Sequence, residues 1–237
     1  MLLGGVQKLT LIDYPGKVAA TVFTVGCNFR CAFCHNPELV DPELIKENPK
    51  ISERDFFDFL KSRQGDLEGV CITGGEPTLH LDLPEFIKKI KKLGFAVKLD
   101  TNGSNPEMLK KLIIVGVDYI AMDIKAPLEK YKEITGVENL DNIKKSVEII
   151  KNSCLVGRQA GLDYEFRTTV LPKFHNEEDL MKIAQWMKGS KKYFLQQFYP
   201  TKTLDGELKN EKAYSTEKLK ELCQKIKPYF EHCEVRG

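Results

Sequence analysis

Three cysteines in one short stretch are the residues of this sequence most suited to chemistry. Cys27, Cys31 and Cys34 are spaced C-x3-C-x2-C and are separated by polar residues such as Asn28 and Arg30, which does not resemble a core pattern. They could form a disulfide, bind zinc, bind an iron–sulfur cluster, or only pack. The chain has seven cysteines, an odd number, and its start shows no signal-peptide pattern, so structural disulfides are not expected.

Zinc and an iron–sulfur cluster differ in the number of ligands that they need. A structural zinc site takes four ligands, but His35 is adjacent to Cys34, and Cys71 and His80 lie far away in the sequence. Thiolates are the normal ligands of iron–sulfur clusters. Three thiolates would leave one iron of a four-iron cluster without a protein ligand, and that iron could bind a small molecule. We therefore favour a cluster.

The other four cysteines are isolated in the sequence. Cysteine often behaves as a small buried hydrophobe, and we expect this of Cys71, Cys154, Cys223 and Cys233. No second C-x2-C group is present, so a second cluster is not expected.

Short apolar runs alternate with amphipathic helical patterns along the chain. This alternation predicts six βα units, and hence an α/β protein with a parallel sheet, arranged as an open, partial βα barrel. No change in composition marks a second domain, so residues 1–237 are predicted to form a single domain, with 1–17 as a short N-terminal extension. The predicted strands are 18–25, 69–73, 96–100, 119–124, 164–171 and 193–197.

Polar motifs follow or end several of the predicted strands. "GGEP" (74–77) follows the second strand, "DTNG" (100–103) ends the third, "DIK" (123–125) ends the fourth, and Arg167 lies within the fifth. Functional sites of α/β barrels and open sheets lie at the carboxyl ends of the strands. These motifs are therefore expected to meet the cysteine stretch, which follows the first strand.

Composition excludes some classes of partner. The net charge is +2, and the lysine pairs alternate with apolar residues as on solvated helix faces, so nucleic acid is not expected. No apolar run approaches the roughly 18 residues that span a bilayer, so a membrane-spanning segment is not expected either. The protein is predicted to be cytoplasmic.

The motifs carry a family resemblance. C-x3-C-x2-C with Phe33 before the last cysteine resembles the signature of radical S-adenosylmethionine (radical SAM) enzymes, and "GGEP" resembles their second motif. "CHNPEL", "LDTNG" and "MDIK" are similar to one branch, the activating enzymes of glycyl-radical proteins. The opening "GGVQKLTLIDYPGKVAATVF" looks most like activators of the anaerobic ribonucleoside-triphosphate reductase.

This resemblance implies a specific activity. Cys27, Cys31 and Cys34 would bind a 4Fe–4S cluster, and S-adenosylmethionine would bind its open iron. An electron from a flavodoxin or ferredoxin would cleave S-adenosylmethionine to methionine and a 5′-deoxyadenosyl radical, which would take a hydrogen atom from a glycine of a partner protein. Two alternatives remain: a radical SAM enzyme acting on a small molecule or an RNA base, and a non-catalytic metal-binding or redox-sensing protein.

The resemblance also implies roles for further residues. Gly74 and Gly75 would let the backbone approach the methionine part of the cofactor, Glu76 would accept from its amino group, and Pro77 would stiffen the turn. Asp100, Thr101 and Asp123 would hold a monovalent cation beside the cofactor. Other residues expected to contact the cofactor are Phe33, Asn102, Lys125, Arg167 and, in place of a histidine found in some activators, Gln196 or Gln197.

Overall fold

The computed structural model describes residues 1–153 and 162–237. Within these residues the chain forms one sheet in which the strands follow in chain order, β1 to β8. The strands are β1 (Leu3–Thr10), β2 (Ala19–Thr24), β3 (Gly69–Gly74), β4 (Ala96–Thr101), β5 (Tyr119–Asp123), β6 (Asp163–Val170), β7 (Lys192–Gln197) and β8 (His232–Arg236). The helices are α1 (Pro42–Glu47), α2 (Glu53–Lys61), α3 (Leu83–Lys92), α4 (Pro106–Val115), α5 (Tyr131–Thr135), α6 (Asp141–Ser153), α7 (Glu177–Trp186) and α8 (Thr216–Ile226).

The sheet confirms the predicted open α/β arrangement. The six predicted strands correspond to β2–β7, and every neighbouring pair among them is parallel. Two further strands extend the sheet: β1 pairs antiparallel with β2, and β8 pairs parallel with β7. The segment 1–17, expected to be a short extension, therefore contains an edge strand. The two edge strands do not pair with each other, so the barrel stays open.

The outer face of the sheet and the helices enclose the main core. Alternate residues of the strands point outward, as Val97 and Leu99 do on β4, and both are fully buried. The helices α2 to α8 each bury apolar residues, whereas the short α1 has no buried residue. In α2 the buried residues include Phe56 and Leu60, and the Ser52 side chain caps the helix by accepting from the amide of Asp55. This packing fixes the strands whose carboxyl ends carry the polar motifs.

The inner face of the sheet is largely polar. A small apolar cluster, formed by Tyr14, Ala19, Tyr119 and Ala121, covers the part near the amino ends of the strands. Toward the carboxyl ends the inner positions of β4, β5 and β6 carry charged side chains instead. Among the described helices, none has both the length and the apolar character needed to cross a membrane.

Candidate functional site

One cavity collects nearly all of the predicted site residues. It lies at the carboxyl ends of the strands and has an empty volume of about 870 Å³, which includes solvent at its mouth. The predicted residues that line it are Cys27, Cys31, Phe33, Cys34, Gly74, Gly75, Glu76, Asp100, Thr101, Asn102, Asp123, Lys125 and Arg167.

The three clustered cysteines all face this cavity. The loop that follows β2 holds them through its backbone: the amide of Phe29 donates to Cys27 Sγ over 3.3 Å, and the amide of Cys34 donates to the carbonyl of Cys31 over 3.0 Å. Phe33 also lines the cavity and packs its ring on Phe174, with 5.9 Å between ring centroids. The aromatic residue of the motif thus anchors the loop while it faces the cavity.

Cys31 is buried, and Cys27 and Cys34 are partly buried. Burial raises the pKa of Cys27 to about 11 and that of Cys31 to about 12, and it also raises the pKa of Cys34. The thiols are therefore protonated at neutral pH until a metal displaces the protons. A partly enclosed pocket of this kind fits thiolates bound to a neutralising metal group better than free thiolates.

The donor set fits a cluster better than one metal ion. Among the described residues, no three His, Cys, Asp or Glu side chains converge on a single ion position. The two distant zinc-ligand candidates do not line the cavity: Cys71 lies beside Lys98, and His80 Nε2 is 3.0 Å from the carbonyl oxygen of Val25. Three thiols with open space beside them agree with a cluster that has one iron free.

The "GGEP" turn packs directly on the start of the cysteine loop. A Cβ on Gly74 would lie 2.5 Å from the amide nitrogen of Thr24, and Gly74 has a φ of +111°. The amide of Gly75 donates to the carbonyl of Thr24 over 2.8 Å. Gly74 is therefore required for the close contact between β2 and β3, and the amide of Gly75 continues that contact.

Glu76 connects two of the motifs. Its carboxylate is completely buried, and its Oε1 accepts from the Thr101 hydroxyl over 2.7 Å, from the Thr78 amide over 3.1 Å and from the Thr78 hydroxyl. Among the described residues, its Oε2 accepts from the amide of Asn102 alone, over 2.7 Å. Burial raises the pKa of Glu76, although these hydrogen bonds oppose the shift. A carboxylate oxygen can accept more than one hydrogen bond, so Oε2 keeps acceptor capacity.

Asn102 connects the "DTNG" turn to the cysteine loop. Its side-chain Nδ2 donates to Asn28 Oδ1 over 3.0 Å and lies 3.9 Å from Cys27 Sγ, while its Oδ1 accepts from the amide of Ser104. In this arrangement Asn102 positions the turn, and it also lines the cavity.

Charged side chains form a row across the inner face of β4, β5 and β6. Arg167 lies between the two aspartates: Nη2 is 3.0 Å from Asp100 Oδ2, and Nε is 2.6 Å from Asp123 Oδ1. Lys125 Nζ lies 2.8 Å from Asp123 Oδ2, and Lys98 bonds Asp100 Oδ1. Although burial opposes ionisation, Arg167 and the lysines hold the pKa of both aspartates below their usual range. The two carboxylates are therefore ionised.

A further ion pair connects this row of charged side chains to β8 at the edge of the sheet. Arg236 of β8 donates from Nη1 and Nη2 to the two oxygens of the fully buried Glu165, over 2.7 and 2.8 Å. Tyr119 also donates to Glu165, over 2.7 Å. Sequence analysis missed both Lys98 and Arg236. For Lys98 a signal exists, because it lies two residues before Asp100 in a strand and so shares its face.

Three of the predicted cofactor residues, Pro77, Gln196 and Gln197, do not line the cavity. Pro77 is buried at the start of a 3₁₀ turn. Gln197 follows Leu195 on the outer face of β7 and donates to the carbonyl of Tyr214 over 3.0 Å. The structure thus does not bring Gln197 to the site, because residues of one strand alternate between faces. Lining residues that the sequence analysis did not select include His35, Asn36, Thr73 and Thr169.

The isolated cysteines are buried where the structure describes them. Cys71, Cys223 and Cys233 lie in the core, as expected, and the Sγ atoms of Cys223 and Cys233 are 3.4 Å apart. Cys154 lies outside the described residues.

Comparison with known proteins places these features in a family. The family model described as the Radical SAM superfamily matches residues 21–187. A Methanocaldococcus jannaschii protein, provisionally named a glycyl-radical enzyme activating enzyme, is 34% identical over 241 residues, covering 99% of this chain and 95% of its own.

Two further similarities cover different shares of the proteins involved. A Saccharolobus islandicus protein, provisionally named GTP 3′,8-cyclase, is 36% identical over 135 residues, which cover 55% of this chain and 41% of its own. Among solved structures, Streptococcus suis SuiB superposes with a TM-score of 0.67 at 14% identity, over 92% of this chain and about half (49%) of SuiB. At that identity the similarity supports the fold alone.

Proposed function

Because this chain belongs to the radical SAM superfamily, we propose that it is an activating enzyme that forms a glycyl radical on a partner protein. The observation that carries the proposal is the relative of that name, which is similar along 99% of this chain. A shared cluster motif alone would account for similarity in the first half of this chain, where the clustered cysteines lie. Similarity that continues through the strands beyond it favours a shared reaction.

The cofactors of this superfamily are a 4Fe–4S cluster and S-adenosylmethionine, and the cavity has residues for both. Cys27, Cys31 and Cys34 would hold the cluster. When bound and reduced, this pair of cofactors supplies a carbon-centred radical that can take a hydrogen atom from a glycine α-carbon. Glu76 Oε2, which among the described residues accepts from the amide of Asn102, would accept from the amino group of S-adenosylmethionine.

The charged row would orient the rest of the cofactor. Lys125 and Arg167 line the cavity, and their positive charges are fixed by the aspartates beside them. They would attract the carboxylate or the ribose hydroxyls of S-adenosylmethionine. Because buried ion pairs hold their side chains in one geometry, the row would preorganise the site before the cofactor binds.

For the partner we propose the anaerobic ribonucleoside-triphosphate reductase, with a flavodoxin or ferredoxin as electron donor. Support for this partner comes from the opening segment 4–23, which resembles activators of that reductase. The cavity is open at its mouth, as a site that admits a segment of another protein must be. We propose that the enzyme works in the cytoplasm.

The test is direct. The chain is reconstituted with iron and sulfide without oxygen, reduced in the presence of S-adenosylmethionine, and mixed with the reductase. We expect 5′-deoxyadenosine and a glycine-centred doublet in electron paramagnetic resonance. A Cys34→Ala variant should give neither. An intact cluster that releases 5′-deoxyadenosine but forms no doublet on any glycyl-radical protein would contradict the proposal.

A second candidate is a radical SAM enzyme that acts on a small molecule. The similarity to the GTP 3′,8-cyclase favours it, although that similarity covers only 55% of this chain. The same reconstituted protein distinguishes the two: with GTP in place of the reductase, this candidate predicts consumption of GTP together with 5′-deoxyadenosine. If GTP is unchanged, the nucleotide form of this candidate is excluded.

A further inference from the structure

We propose that Lys98, together with Arg167 and Lys125, takes the place of a free alkali cation beside Asp100 and Asp123, so that S-adenosylmethionine binds without Na⁺ or K⁺. The inference concerns cofactor binding in this superfamily and does not depend on which molecule receives the radical. It departs from the cation site that the sequence motifs suggest at Asp100, Thr101 and Asp123.

All four carboxylate oxygens already have a cationic partner. Asp100 Oδ1 bonds Lys98 Nζ, and Asp100 Oδ2 is 3.0 Å from Arg167 Nη2. Asp123 Oδ1 is 2.6 Å from Arg167 Nε, and Asp123 Oδ2 is 2.8 Å from Lys125 Nζ. Hard cations such as Na⁺ and K⁺ bind through oxygen atoms, and here ammonium and guanidinium groups occupy the positions that a cation would take.

The hydroxyl of the third expected ligand is also engaged. Thr101 Oγ1 donates to Glu76 over 2.7 Å and accepts from the amide of Gly103 over 3.1 Å. The first bond joins the "GGEP" and "DTNG" turns, and the second lies within the "DTNG" turn. Recruiting this hydroxyl to a cation would therefore disturb the connection between two motifs that line the cavity.

Lys98 reaches this position because of the strand alternation. It lies two residues before Asp100 in β4, so both side chains point to the inner face while Val97 and Leu99 enter the outer core. Its side chain is only 2% exposed. A lysine is rarely buried to this extent unless it is paired, and its partner here is Asp100. The ion pair with Asp100 thus explains why the charged Lys98 side chain can be buried at this position.

The charge balance also disfavours an added cation. Glu165 also lies 3.9 Å from Arg167 Nη1 and pairs with Arg236, so Lys98, Lys125, Arg167 and Arg236 carry four positive charges against the three of Asp100, Asp123 and Glu165, and this group already has one positive charge in excess. A buried alkali ion would raise the excess to two, whereas the carboxylate of S-adenosylmethionine would reduce it. An uncompensated buried charge is strongly unfavourable, so the group is arranged to receive an anion.

The experiment measures binding rather than catalysis. The affinity of the cluster-loaded protein for S-adenosylmethionine is determined by equilibrium dialysis in chloride salts of Na⁺, K⁺ or tetramethylammonium at about 0.1 M, where ionic screening is equal. We expect affinities in the three salts to agree within about twofold, since tetramethylammonium cannot enter the site. An affinity about fivefold or more lower in tetramethylammonium would overturn the proposal.

Variants of Lys98 give the complementary result. Lys98→Met frees Asp100 Oδ1, so we expect weaker binding in tetramethylammonium and a recovery of about fivefold or more when K⁺ or Na⁺ is added. Lys98→Arg retains the charge and should remain independent of the salt. Lys88→Met, which removes an exposed lysine paired with Glu85, is the matched control and should behave as the unmodified protein.

A second readout does not require the cofactor. Thermal unfolding of Lys98→Met should shift to higher temperature when K⁺ or Na⁺ replaces tetramethylammonium, and the unmodified protein should show no such shift. A Lys98→Met protein whose binding and unfolding are equally insensitive to the salt would contradict the proposal. Loss of glycyl-radical formation would leave these results unchanged, so the two proposals fail separately.

Discussion

Gly75 lies so close to Gly26 that a Cβ on Gly75 would be 2.1 Å from the carbonyl oxygen of Gly26. The same carbonyl accepts from the amide of Glu76 over 2.8 Å. The turn after β3 is thereby fixed to the residue that precedes Cys27. From sequence, the glycines of this motif were expected to let the cofactor approach, but this contact assigns Gly75 a further role in holding the cysteine loop.

Replacing Gly75 by alanine should therefore disturb the cysteine loop. Backbone atoms cannot move aside as a flexible side chain would, so we expect Gly75→Ala to lower the free energy of unfolding by about 1–3 kcal/mol and to reduce iron bound per chain. Urea denaturation and iron analysis measure both. Gly206→Ala is the control, because nothing lies within 4 Å of its Cβ position. Normal iron content in Gly75→Ala would show that the contact is not needed.

Glu76→Gln tests the buried link between the two turns. Every partner of this carboxylate donates to it, and a glutamine places an amide –NH₂ group against at least one of those donors. We expect a loss of about 1–3 kcal/mol in the free energy of unfolding, together with weaker binding of S-adenosylmethionine. Glu85→Gln removes an exposed carboxylate and should change neither quantity. Equal stability of the two variants would argue against the link.

The pair of Arg236 and Glu165 should attach β8 to the barrel interior. Arg236→Met leaves the completely buried Glu165 carboxylate without its bidentate partner, which should lower the free energy of unfolding by about 3 kcal/mol. Adding Glu165→Gln removes the unpaired charge, so the double variant should recover part of that loss. Urea denaturation of both variants measures the coupling. If the two losses simply add, the residues do not interact.

Acid should destabilise the protein in part through Asp163, at the amino end of β6. Burial raises its pKa, but bonds from Lys192 and Lys191 outweigh burial and leave the pKa lowered. A lowered pKa contributes stability above the unfolded value, near 3.8, and that stability is lost as the pH falls through the folded value. Asp163→Asn should reduce the loss of stability between about pH 5 and pH 2, measured in urea, by less than about 1 kcal/mol, because solvent screens this partly exposed pair. An unchanged acid dependence would exclude this contribution.

The sequence predicted the six inner strands because their apolar, β-branched runs are bounded by turns and alternate with helical patterns. It did not predict β1 and β8, since each carries little of that signal. β1 begins with two glycines after Leu3, and β8 alternates cysteine and valine with charged residues. Both are edge strands. An edge strand has one neighbouring strand and is only partly buried, so its residue types are less constrained than those of an inner strand.

Site residues that belong to a sequence motif were predicted. Site residues outside a motif, which reach the site only because their position in a strand points inward, were missed. Cys27 and Glu76 could be read from spacing, but Lys98 resembles any other lysine until its neighbours reveal which positions of β4 point inward. The same alternation explains Gln197, which lies one residue away from the inner face of β7. Long-range pairings such as that of Arg236 with Glu165 leave no trace in a local pattern, because 70 residues separate the two.

The charged row also has a consequence for how the sheet assembles. Lys98, Asp100 and Arg167 face inward only in the native alignment of β4 and β6 with their neighbours. A register shift by one residue would bury these charged side chains in the apolar core between the sheet and the helices, and it would turn leucine and valine side chains toward the polar inner face. Mispaired strands would thus be disfavoured during folding by electrostatics as well as by packing, so the residues proposed to bind the cofactor also favour the native register of the sheet.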